Sequence, residues 1–433
     1  MAAARPAPSL AETTRTWTRI ALLSFGGPAA QIALMHRILV DEKQWIDEQR
    51  FLHALNFCTL LPGPEAQQLA TYVGWLMHGV RGGLIAGLLF IAPGIAAIMA
   101  LSWAYVLYGG VGAVEGLLFG LKAAVLAIVV HALWRLASRA LRNRWQRWVA
   151  LAAFLLIAFT VIPFPVVVVA AGIAGWWINR GRSDDPQAAA PVPPGPSLIR
   201  RSFPWLVAWL APVAALAAFL GPDNVMTQVA SFFSAAALVT FGGAYAVLAF
   251  VAEQAVERFG WLQPGEMIDG LGMAETTPGP LIMVLQFVGF LAAYRDPGGL
   301  DPLLAGTIGG LVATFVTFAP CFLWIFAGAP YVERLRGNAR LSGALAGILA
   351  AAVGVIASLA LWFAIHALFA EIVHIGAGPL RLDLPILATL DPWAGLLTLL
   401  GAFALFRLRL GIATTVLLAA GTGVALHMLG VAA

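Results

Sequence analysis

Charged residues are scarce in this chain, which limits the classes of protein to which it can belong. They make up 11% of its 433 residues, while apolar residues make up 61% and the mean hydropathy is +0.88. A water-soluble domain carries roughly a quarter charged residues, so this composition excludes a soluble globular fold. Segments of about ten residues with alternating polarity, as in a membrane β-barrel, are also lacking. Apolar stretches near the roughly 20 residues of a spanning helix recur instead, and predict an all-α polytopic integral membrane protein.

Cysteines are few, and the common catalytic motifs are missing. Cys58 and Cys321 lie far apart in apolar segments, so we expect buried small hydrophobes and no disulfide framework. The sequence has no Gly-x-x-x-x-Gly-Lys-Ser/Thr loop for ATP, no His-Glu-x-x-His zinc pair and no Gly-x-Ser-x-Gly elbow. His36, His53 and His78 are spaced 17 and 25 residues apart, which is not ligand spacing on one helix. We therefore expect no cofactor or metal and a transporter driven by an ion gradient; an intramembrane enzyme is the alternative from a different class.

Apolar segments divide the chain into about thirteen predicted spans around one polar stretch. Residues 181–203 include Asp184, Asp185 and several prolines, and are predicted to form a cytoplasmic linker. The linker separates a first domain, 1–180, from a second domain, 204–433. The predicted spans are 16–37, 51–79, 82–108, 112–137, 147–161, 163–178, 204–220, 229–251, 266–294, 303–330, 342–367, 391–406 and 410–430.

The two domains repeat one another. Several motifs recur with a constant offset of 216 residues, which becomes 227 after the loop 295–302. Chance similarity of apolar strings would not hold one register through such motifs, so the sequence predicts two homologous copies. The matching positions are Phe25-Gly26-Gly27 with Phe241-Gly242-Gly243, Trp45 with Trp261, Pro62-Gly63-Pro64 with Pro278-Gly279-Pro280, and Ala92-Pro93 with Ala319-Pro320.

Basic loops predict how the chain is oriented. Arginines cluster at 135–147, in the linker and at 334–340, and basic loops face the cytoplasm. The N-terminus is then cytoplasmic and the C-terminus periplasmic. Seven crossings separate the Phe-Gly-Gly motifs, so the two copies are predicted to be inverted, as in many secondary transporters. This count requires each Pro-Gly-Pro segment to cross once, and re-entrant hairpins are the alternative that would change it.

The Pro-Gly-Pro motifs interrupt long apolar stretches. Proline removes a backbone donor and pushes the preceding residue out of the α region, so each motif is predicted to break its helix. Broken backbone inside a membrane is tolerated only where it is buried in protein or lines a wet cavity. The half-helix that follows begins with unpaired amides, which suit an anion. We therefore predict that Pro62, Gly63, Pro64, Pro278, Gly279 and Pro280 surround the substrate; a kink or a tight surface loop is the alternative.

Residues beside the breaks complete the predicted site. Small residues of the Phe-Gly-Gly motifs are expected inside their spans, either near the substrate or in helix packing. Neutral hydrogen-bonding groups there suit an oxyanion. These candidates are Gly26, Gly27, Pro28, Gly242, Gly243, Gln67, Gln68, Thr276, Thr277 and Gln286.

Three charged residues are predicted at membrane depth. Lys122 lies alone in an apolar run, where a charge is functional by default, so it is expected to attract an anion; snorkelling is the alternative. Glu65 and Glu275 lie beside the two breaks. An acidic group next to an anion site is expected to carry a coupled proton, and for Glu65 a helix first-turn carboxylate is the alternative.

The motifs resemble a known family. The segments FGGPAAQIA at 25–33, LLPGPEAQQLATY at 60–72 and TTPGPL at 276–281 look like signatures of the chromate ion transporter family in its long, two-domain form. The resemblance covers nearly the whole chain. It implies export of chromate across the inner membrane, chromate resistance and coupling to the proton motive force. A permease for sulfate or another oxyanion is the alternative.

The same resemblance sets the expected partners. They are a small inorganic oxyanion, with sulfate as competitor, and the lipid bilayer, with a homodimer left open and no nucleic acid. The second copy has Ala244 where the first has Pro28, so the halves are not expected to contribute equally.

Overall fold

The computed structural model describes residues 8–59, 61–180, 198–241, 244–328 and 339–431, which are mostly α-helical. The predicted class of helical membrane protein agrees with this structure. Most of the predicted linker, 181–197, lies outside the described residues, as do Gly242 and Gly243. Its last part is corrected, because residues 198–203 already belong to a helix.

The helices follow one another along the chain with one short hairpin near the end. The elements are α1 (Leu10–Leu22), α2 (Gly27–His36), α3 (Glu48–Cys58), α4 (Glu65–Tyr108), α5 (Gly112–Ala140), α6 (Arg144–Phe159), α7 (Phe164–Ile178), α8 (Leu198–Leu220), α9 (Val225–Leu238), α10 (Ala244–Glu253), α11 (Pro264–Thr276), α12 (Val284–Arg295), α13 (Pro302–Gly328), α14 (Ala339–Leu368), β1 (Ile372–Ala377), β2 (Leu380–Pro385), α15 (Pro392–Phe406) and α16 (Ile412–Met428). Short 3-10 turns lie at Leu281–Met283, directly before α12, and at Leu387–Thr389.

The described residues form two compact units, and each unit takes segments from both predicted domains. Unit 1 comprises the described parts of Met1–Ala100, Asp185–Ala244 and Thr277–Gly337. Unit 2 comprises those of Leu101–Asp184, Tyr245–Thr276 and Asn338–Ala433. The division of the chain into compact units therefore does not follow the order of the predicted domains.

Five described helices are long and apolar enough to cross a membrane: α4, α5, α8, α13 and α14. Helix α4 is itself interrupted at His78 and Gly79, which have non-helical backbone angles, close to the boundary predicted between 79 and 82. Shorter apolar helices are α7, α9, the segment Leu281–Arg295, α15 and α16. The total of thirteen spans stays a prediction.

Four predicted spans are interrupted. The spans 16–37 and 229–251 were expected to run through the Phe-Gly-Gly motifs, but α1 ends at Leu22 and α2 begins at Gly27, while α9 ends at Leu238 and α10 begins at Ala244. In the first of these, Gly26 and Gly27 have φ of 85° and 76°, which no right-handed helix accommodates. The spans 51–79 and 266–294 are interrupted at the Pro-Gly-Pro motifs, as those motifs predict.

Small residues bring helices into close contact within each unit. In unit 1, a Cβ on Gly289 of α12 would lie 2.7 Å from the carbonyl oxygen of Gly309 in α13. In unit 2, a Cβ on Gly175 of α7 would lie 2.1 Å from the carbonyl oxygen of Gly343 in α14. Backbone approach of this kind is how apolar helices pack in a bilayer, where hydrophobic burial supplies little drive for association.

Candidate functional site

The first Pro-Gly-Pro motif separates α3 from α4. Helix α3 ends at Cys58 and α4 begins at Glu65. Gly63, between the two prolines, has φ of 119°, which is accessible to glycine and strained for other residues. Its backbone amide donates a hydrogen bond of 2.7 Å to the carbonyl oxygen of Thr240. The break is therefore bound to the residue that directly precedes the second Phe-Gly-Gly motif.

The second Pro-Gly-Pro motif repeats this arrangement in the opposite sense. Gly279 has φ of 106°, and its amide donates a hydrogen bond of 2.8 Å to the carbonyl oxygen of Ser24. Ser24 directly precedes the first Phe-Gly-Gly motif. Each break thus binds the sequence copy to which it does not belong, and all four residues lie in unit 1.

Each break also packs against a proline-containing part of a helix from the other sequence copy. A Cβ on Gly279 would lie 3.1 Å from the Cα of Gly94, which follows Pro93 in α4. A Cβ on Gly63 would lie 3.0 Å from the Sγ of Cys321, which follows Pro320 in α13. Gly279 therefore contacts the backbone of α4, whereas Gly63 contacts a side chain of α13. The two breaks are not equivalent.

A cavity of about 20 Å³ lies where these segments meet in unit 1. Its wall is formed near the N-terminal ends of α2, α4, α10 and the segment Leu281–Arg295. The residues that line it are Pro28, Gln31, Pro64, Glu65, Ala66, Ala244, Pro280, Leu281 and Ile282.

Helix starts present free backbone donors, since the first amides of a helix have no carbonyl one turn earlier. In α4 the first intrahelical bond runs from the amide of Gln68 to the carbonyl of Pro64, at 3.0 Å. The amides of Glu65 and Ala66 therefore have no acceptor within the helix. After the second break, the first such bond runs from the amide of Met283 to the carbonyl of Pro280, at 2.9 Å. The amides of Leu281 and Ile282 therefore also have no acceptor within their helical segment.

Gln31 is a site residue that the sequence analysis did not select. Its side chain is fully buried and lines the cavity, and its Nε2 donates a hydrogen bond of 2.6 Å to the carbonyl oxygen of Gly279. Its Oε1 is buried without a hydrogen-bond partner. The sequence contained a feature that could have identified it. Gln31 is the one neutral polar side chain of α2, and its counterpart at the offset of 216 is Val247.

The other predicted polar residues of unit 1 do not line the cavity, and one of them holds the backbone of a break. Gln68 donates from Nε2 to the carbonyl of Pro62 at 2.7 Å, within the first break. Gln67 donates to the hydroxyl of Thr71 at 3.2 Å. Gln286 donates to the carbonyl of Ile95 at 2.8 Å. Only the amide of Gln68 therefore holds broken backbone, whereas the other two bond residues of α4. Thr277 lies buried at the start of the second break.

Three predicted residues, Lys122, Glu275 and Thr276, belong to unit 2. The Nζ of Lys122 on α5 lies 3.5 Å from Oδ2 of Asp269 on α11. Glu275, also on α11, accepts a hydrogen bond from the hydroxyl of Tyr245. The hydroxyl of Thr276 donates to the carbonyl of Met273 at 2.8 Å, inside its own helix.

Comparison with known proteins identifies the family. The family model described as Chromate transporter matches residues 11–176 and 227–425. The chain belongs to the chromate transporter family. Both breaks, the buried side chains of Gln31 and Asp269, and Lys122 lie inside the matched regions.

Relatives of this chromate transporter family member match over most of their length. The chromate transport protein of Pseudomonas aeruginosa is 34% identical over 356 residues, covering 81% of this chain and 80% of the relative. The probable chromate transport protein of Synechococcus elongatus is 30% identical over 364 residues, covering 81% and 84%. The chromate transport protein of Cupriavidus metallidurans is 29% identical over 361 residues, covering 81% and 82%. No solved structure matches the chain at a significant level.

The lining of the cavity in this family member is mostly apolar, and it includes helix starts and one ionisable group. Of its nine residues, Glu65 alone can ionise. Backbone amides at helix starts favour an anion, whereas an ionised carboxylate beside them opposes one. The occupancy of the cavity by an anion and the charge of Glu65 must therefore be linked.

Proposed function

We propose that this protein is a secondary active exporter of chromate from the cytoplasm, which binds the anion in the cavity between its two helix breaks. The observation that carries the proposal is that each break in unit 1 hydrogen-bonds a segment of the other sequence copy. Because Gly63 bonds Thr240 and Gly279 bonds Ser24, helix starts from both halves of the sequence reach one cavity. A tetrahedral dianion presents four acceptor oxygens, which suits a cavity edged by unpaired amides.

The donors available to such an anion come mainly from the backbone. The amides of Glu65 and Ala66 begin α4, and those of Leu281 and Ile282 begin the segment Leu281–Arg295. The positive ends of the helix dipoles add to the attraction of these amides. The side chain of Gln31 holds Gly279 in place, so that the second set of amides keeps its direction. Selectivity for a small oxyanion then follows from a fixed cage of donors with little side-chain charge.

The cavity is smaller than the anion. At about 20 Å³ it has room for about one water molecule and not for a tetrahedral oxyanion. Substrate entry therefore requires the breaks to separate, and the two crossing hydrogen bonds are the contacts that must lengthen. In transporters with inverted repeats, the site opens alternately to the two sides as one repeat or bundle moves against the other, and we extend this mechanism to this chain.

Equivalent local structure in the two copies supports an inverted repeat. Helix α2 continues into a π-helical turn at Arg37–Glu42, and α10 continues into one at Gln254–Arg258. At the offset of 216 residues these turns occupy matching positions. π-Helical turns are rare and tend to occur at functional sites, so their recurrence favours common ancestry of the two copies.

The membrane potential favours export of a dianion. One elementary charge moved across 100 mV gains about 2.3 kcal/mol, so two charges leaving a negative interior gain about 4.6 kcal/mol. Protons are the second source of energy. Glu65 in the cavity wall and Glu275 before the second break are the predicted proton-binding residues. A proton on Glu65 removes the charge that opposes the anion, so it favours anion binding. A proton that supplies energy must instead move into the cell as chromate leaves it.

The test is chromate accumulation in inverted membrane vesicles that are energised to be acid and positive inside. Accumulation should need energisation and should fall when sulfate is present in excess, because sulfate is a tetrahedral dianion of similar size. Valinomycin with potassium removes the potential and nigericin removes the pH gradient, which separates the two driving forces. Folded, membrane-inserted protein without chromate accumulation would contradict the proposed substrate, and undiminished accumulation in excess sulfate would contradict recognition by shape and charge.

A further inference from the structure

Unit 2 contains an ion pair with a buried carboxylate that the sequence analysis did not find. Asp269 is 2% exposed, and its Oδ2 lies 3.5 Å from Nζ of Lys122. The hydroxyl of Tyr105 donates to the same oxygen at 3.1 Å. The other carboxyl oxygen, Oδ1, is buried without a hydrogen-bond partner. Both the cation and the hydroxyl thus act on one oxygen, and the second oxygen stands ready to accept a proton.

Gly265 leaves space for the ammonium group of Lys122. A Cβ on Gly265 would lie 3.2 Å from Nζ of Lys122, so any larger residue would crowd the ammonium group. Gly265 and Asp269 are one turn apart on α11, and the missing side chain lets Lys122 lie along that turn. The arrangement gives Lys122 a specific partner, whereas the sequence analysis expected it to act on the substrate.

Few other charges act on Asp269. Glu266 lies on the same helix and accepts a hydrogen bond at 2.7 Å from the amide of Gln263. Helices α14 and α16 also pack against α11. The ionisable residues of these two helices have other contacts or are exposed. His366 stacks on Trp362, and Nε2 of His427 lies 3.8 Å from Oε2 of Glu115. Arg340 is exposed at the start of α14. The charge of Asp269 is therefore balanced by Lys122.

An ion pair with one buried partner is a poor stabiliser, because desolvation of the buried charge offsets much of the attraction. At membrane depth a well-packed apolar pair would serve stability equally well, so an ion pair there points to function. The side chain of Lys122 is 34% exposed while that of Asp269 is 3% exposed. The pair therefore connects a buried carboxylate to a partly exposed group, which is the geometry that a proton needs to reach it.

Antiport imposes a further condition. A proton on Glu65 is favoured when the cavity holds an anion, so that proton moves in the same direction as chromate. A proton that moves inward while chromate moves outward needs a carboxyl group whose protonation the anion does not favour. Asp269 meets the condition, because it does not line the cavity and has a cation of its own.

Resting on the export activity proposed above, we infer that Asp269 carries the counter-moving proton and that Lys122 is its alternate partner. In one half of the cycle the carboxylate pairs with the ammonium group of Lys122. In the other half it binds a proton at Oδ1, becomes a neutral acid and releases Lys122. Tyr105 is a positioning residue that keeps Oδ2 in place in both states.

Glu275 fits this role less well. It lies on the same helix and is also buried, and its Oε2 has no hydrogen-bond partner. Its described polar partner is the hydroxyl of Tyr245, and no ion pair involves it among the described residues. Without a cation to alternate with the proton, its ionised state has little to stabilise it, whereas Asp269 has two stable states.

The experiment compares two activities of purified protein in proteoliposomes. The first is chromate accumulation driven by a pH gradient, with the membrane potential clamped at zero. The second is exchange of labelled for unlabelled chromate without any gradient. For Asp269→Asn we expect gradient-driven accumulation to fall at least tenfold while exchange stays within about twofold of wild type. Glu115→Gln, which removes a half-exposed partner of His427 on the same helix as Lys122, should change neither activity.

A double variant separates proton transport from structural pairing. Asp269→Asn alone leaves Lys122 without its partner, so misfolding of the single variant would be ambiguous. Lys122→Met with Asp269→Asn removes both charges and should restore folding and exchange, but not gradient-driven accumulation. Asp269→Glu should retain part of both activities. Gradient-driven accumulation at the wild-type level in the double variant would overturn the inference and leave a structural pair.

The outcomes for the two proposals differ. If the wild-type protein exchanges chromate but shows no response to a pH gradient, proton coupling itself is wrong, whatever the variants do. If the wild-type protein responds and Asp269→Asn responds equally, only the assignment to Asp269 is wrong.

Discussion

The amide of Gly63 donates a hydrogen bond of 2.7 Å to the carbonyl oxygen of Thr240, 177 residues further along the chain. Its counterpart Gly279 bonds Ser24 at 2.8 Å in the opposite sense. Two breaks that each bind the other half of the sequence cannot move independently. We therefore expect any substitution that displaces one break to disturb the cavity as a whole.

Gly279→Ala should abolish transport while leaving an inserted protein. The new Cβ would lie 3.1 Å from Cα of Gly94, and the φ of 106° would be strained for alanine. We expect at least a tenfold loss of chromate accumulation. The control is Gly299→Ala, where φ is 91° but nothing lies within 4 Å of the new Cβ, so that strain is present without crowding. Equal loss in both variants would attribute the effect to strain alone.

Gln31→Leu should weaken the second break. It removes the donor to the carbonyl of Gly279, and a buried acceptor left without its partner costs about 1 to 3 kcal/mol. We expect a lower apparent melting temperature in detergent and a raised KM for chromate. Gln228→Leu removes a similar bond, from Nε2 to the carbonyl of Asp223 at 3.1 Å, at a partly exposed site. It should change neither quantity, and an unchanged KM in Gln31→Leu would remove Gln31 from the site.

Glu65→Gln should bind chromate more tightly at alkaline pH. It removes the one ionisable group from the cavity wall, and a like charge near the anion opposes binding by on the order of 1 kcal/mol or more. We expect about a tenfold lower Kd, measured with labelled chromate on detergent-solubilised protein. The difference in Kd between the variant and the wild type should shrink as the pH falls, because Glu65 of the wild type then becomes neutral, as the glutamine of the variant always is. Glu12→Gln, at an exposed pair with Lys43, serves as the control. Weaker binding would mean that the carboxyl group helps to hold the anion.

Glu253→Gln should stabilise the protein above neutral pH. Burial raises the pKa of Glu253 to about 7, although Arg381 of the β-hairpin lies 3.6 Å away and acts in the opposite direction. A raised pKa contributes stability that is fully present below the ordinary value of 4.5 and is lost as the pH rises through about 7. Glutamine cannot ionise, so it avoids this loss.

The measurement is thermal unfolding in detergent across that pH range. Above pH 7 the variant should be more stable by on the order of 3 kcal/mol, and the difference should reverse or vanish in acid. Glu371→Gln, at an exposed glutamate just before strand β1, should show no such pH dependence. A variant that is less stable than wild type at alkaline pH would show that the attraction of Arg381 outweighs burial.

The sequence by itself determined the class of protein and the places where its helices break. Composition was sufficient for the membrane class, because too few charges exist to cover a water-facing surface. The spacing of two prolines around a glycine was sufficient to predict the two breaks, since each ring removes an amide hydrogen within the same turn. A single proline does not suffice, because Pro93 and Pro320 lie inside continuous helices. The duplicated motifs likewise predicted that the two breaks have similar local structure, which Gly63 and Gly279 confirm with φ of 119° and 106°.

Only the tertiary structure decided which residues meet. Nothing in the spacing of Ser24, Gly63, Thr240 and Gly279 shows that each break binds the other copy, because contacts between distant segments depend on how helices pack. For the same reason Gln31 and Asp269 were missed, although each is a lone polar group on an apolar helix face. Lys122 was found from its isolation in an apolar run, but its partner lies 147 residues away, and the pairing follows from the approach of α5 to α11. Local chemistry fixes where a chain bends, whereas the partner of a buried charge is set by the packing of elements that no local pattern encodes.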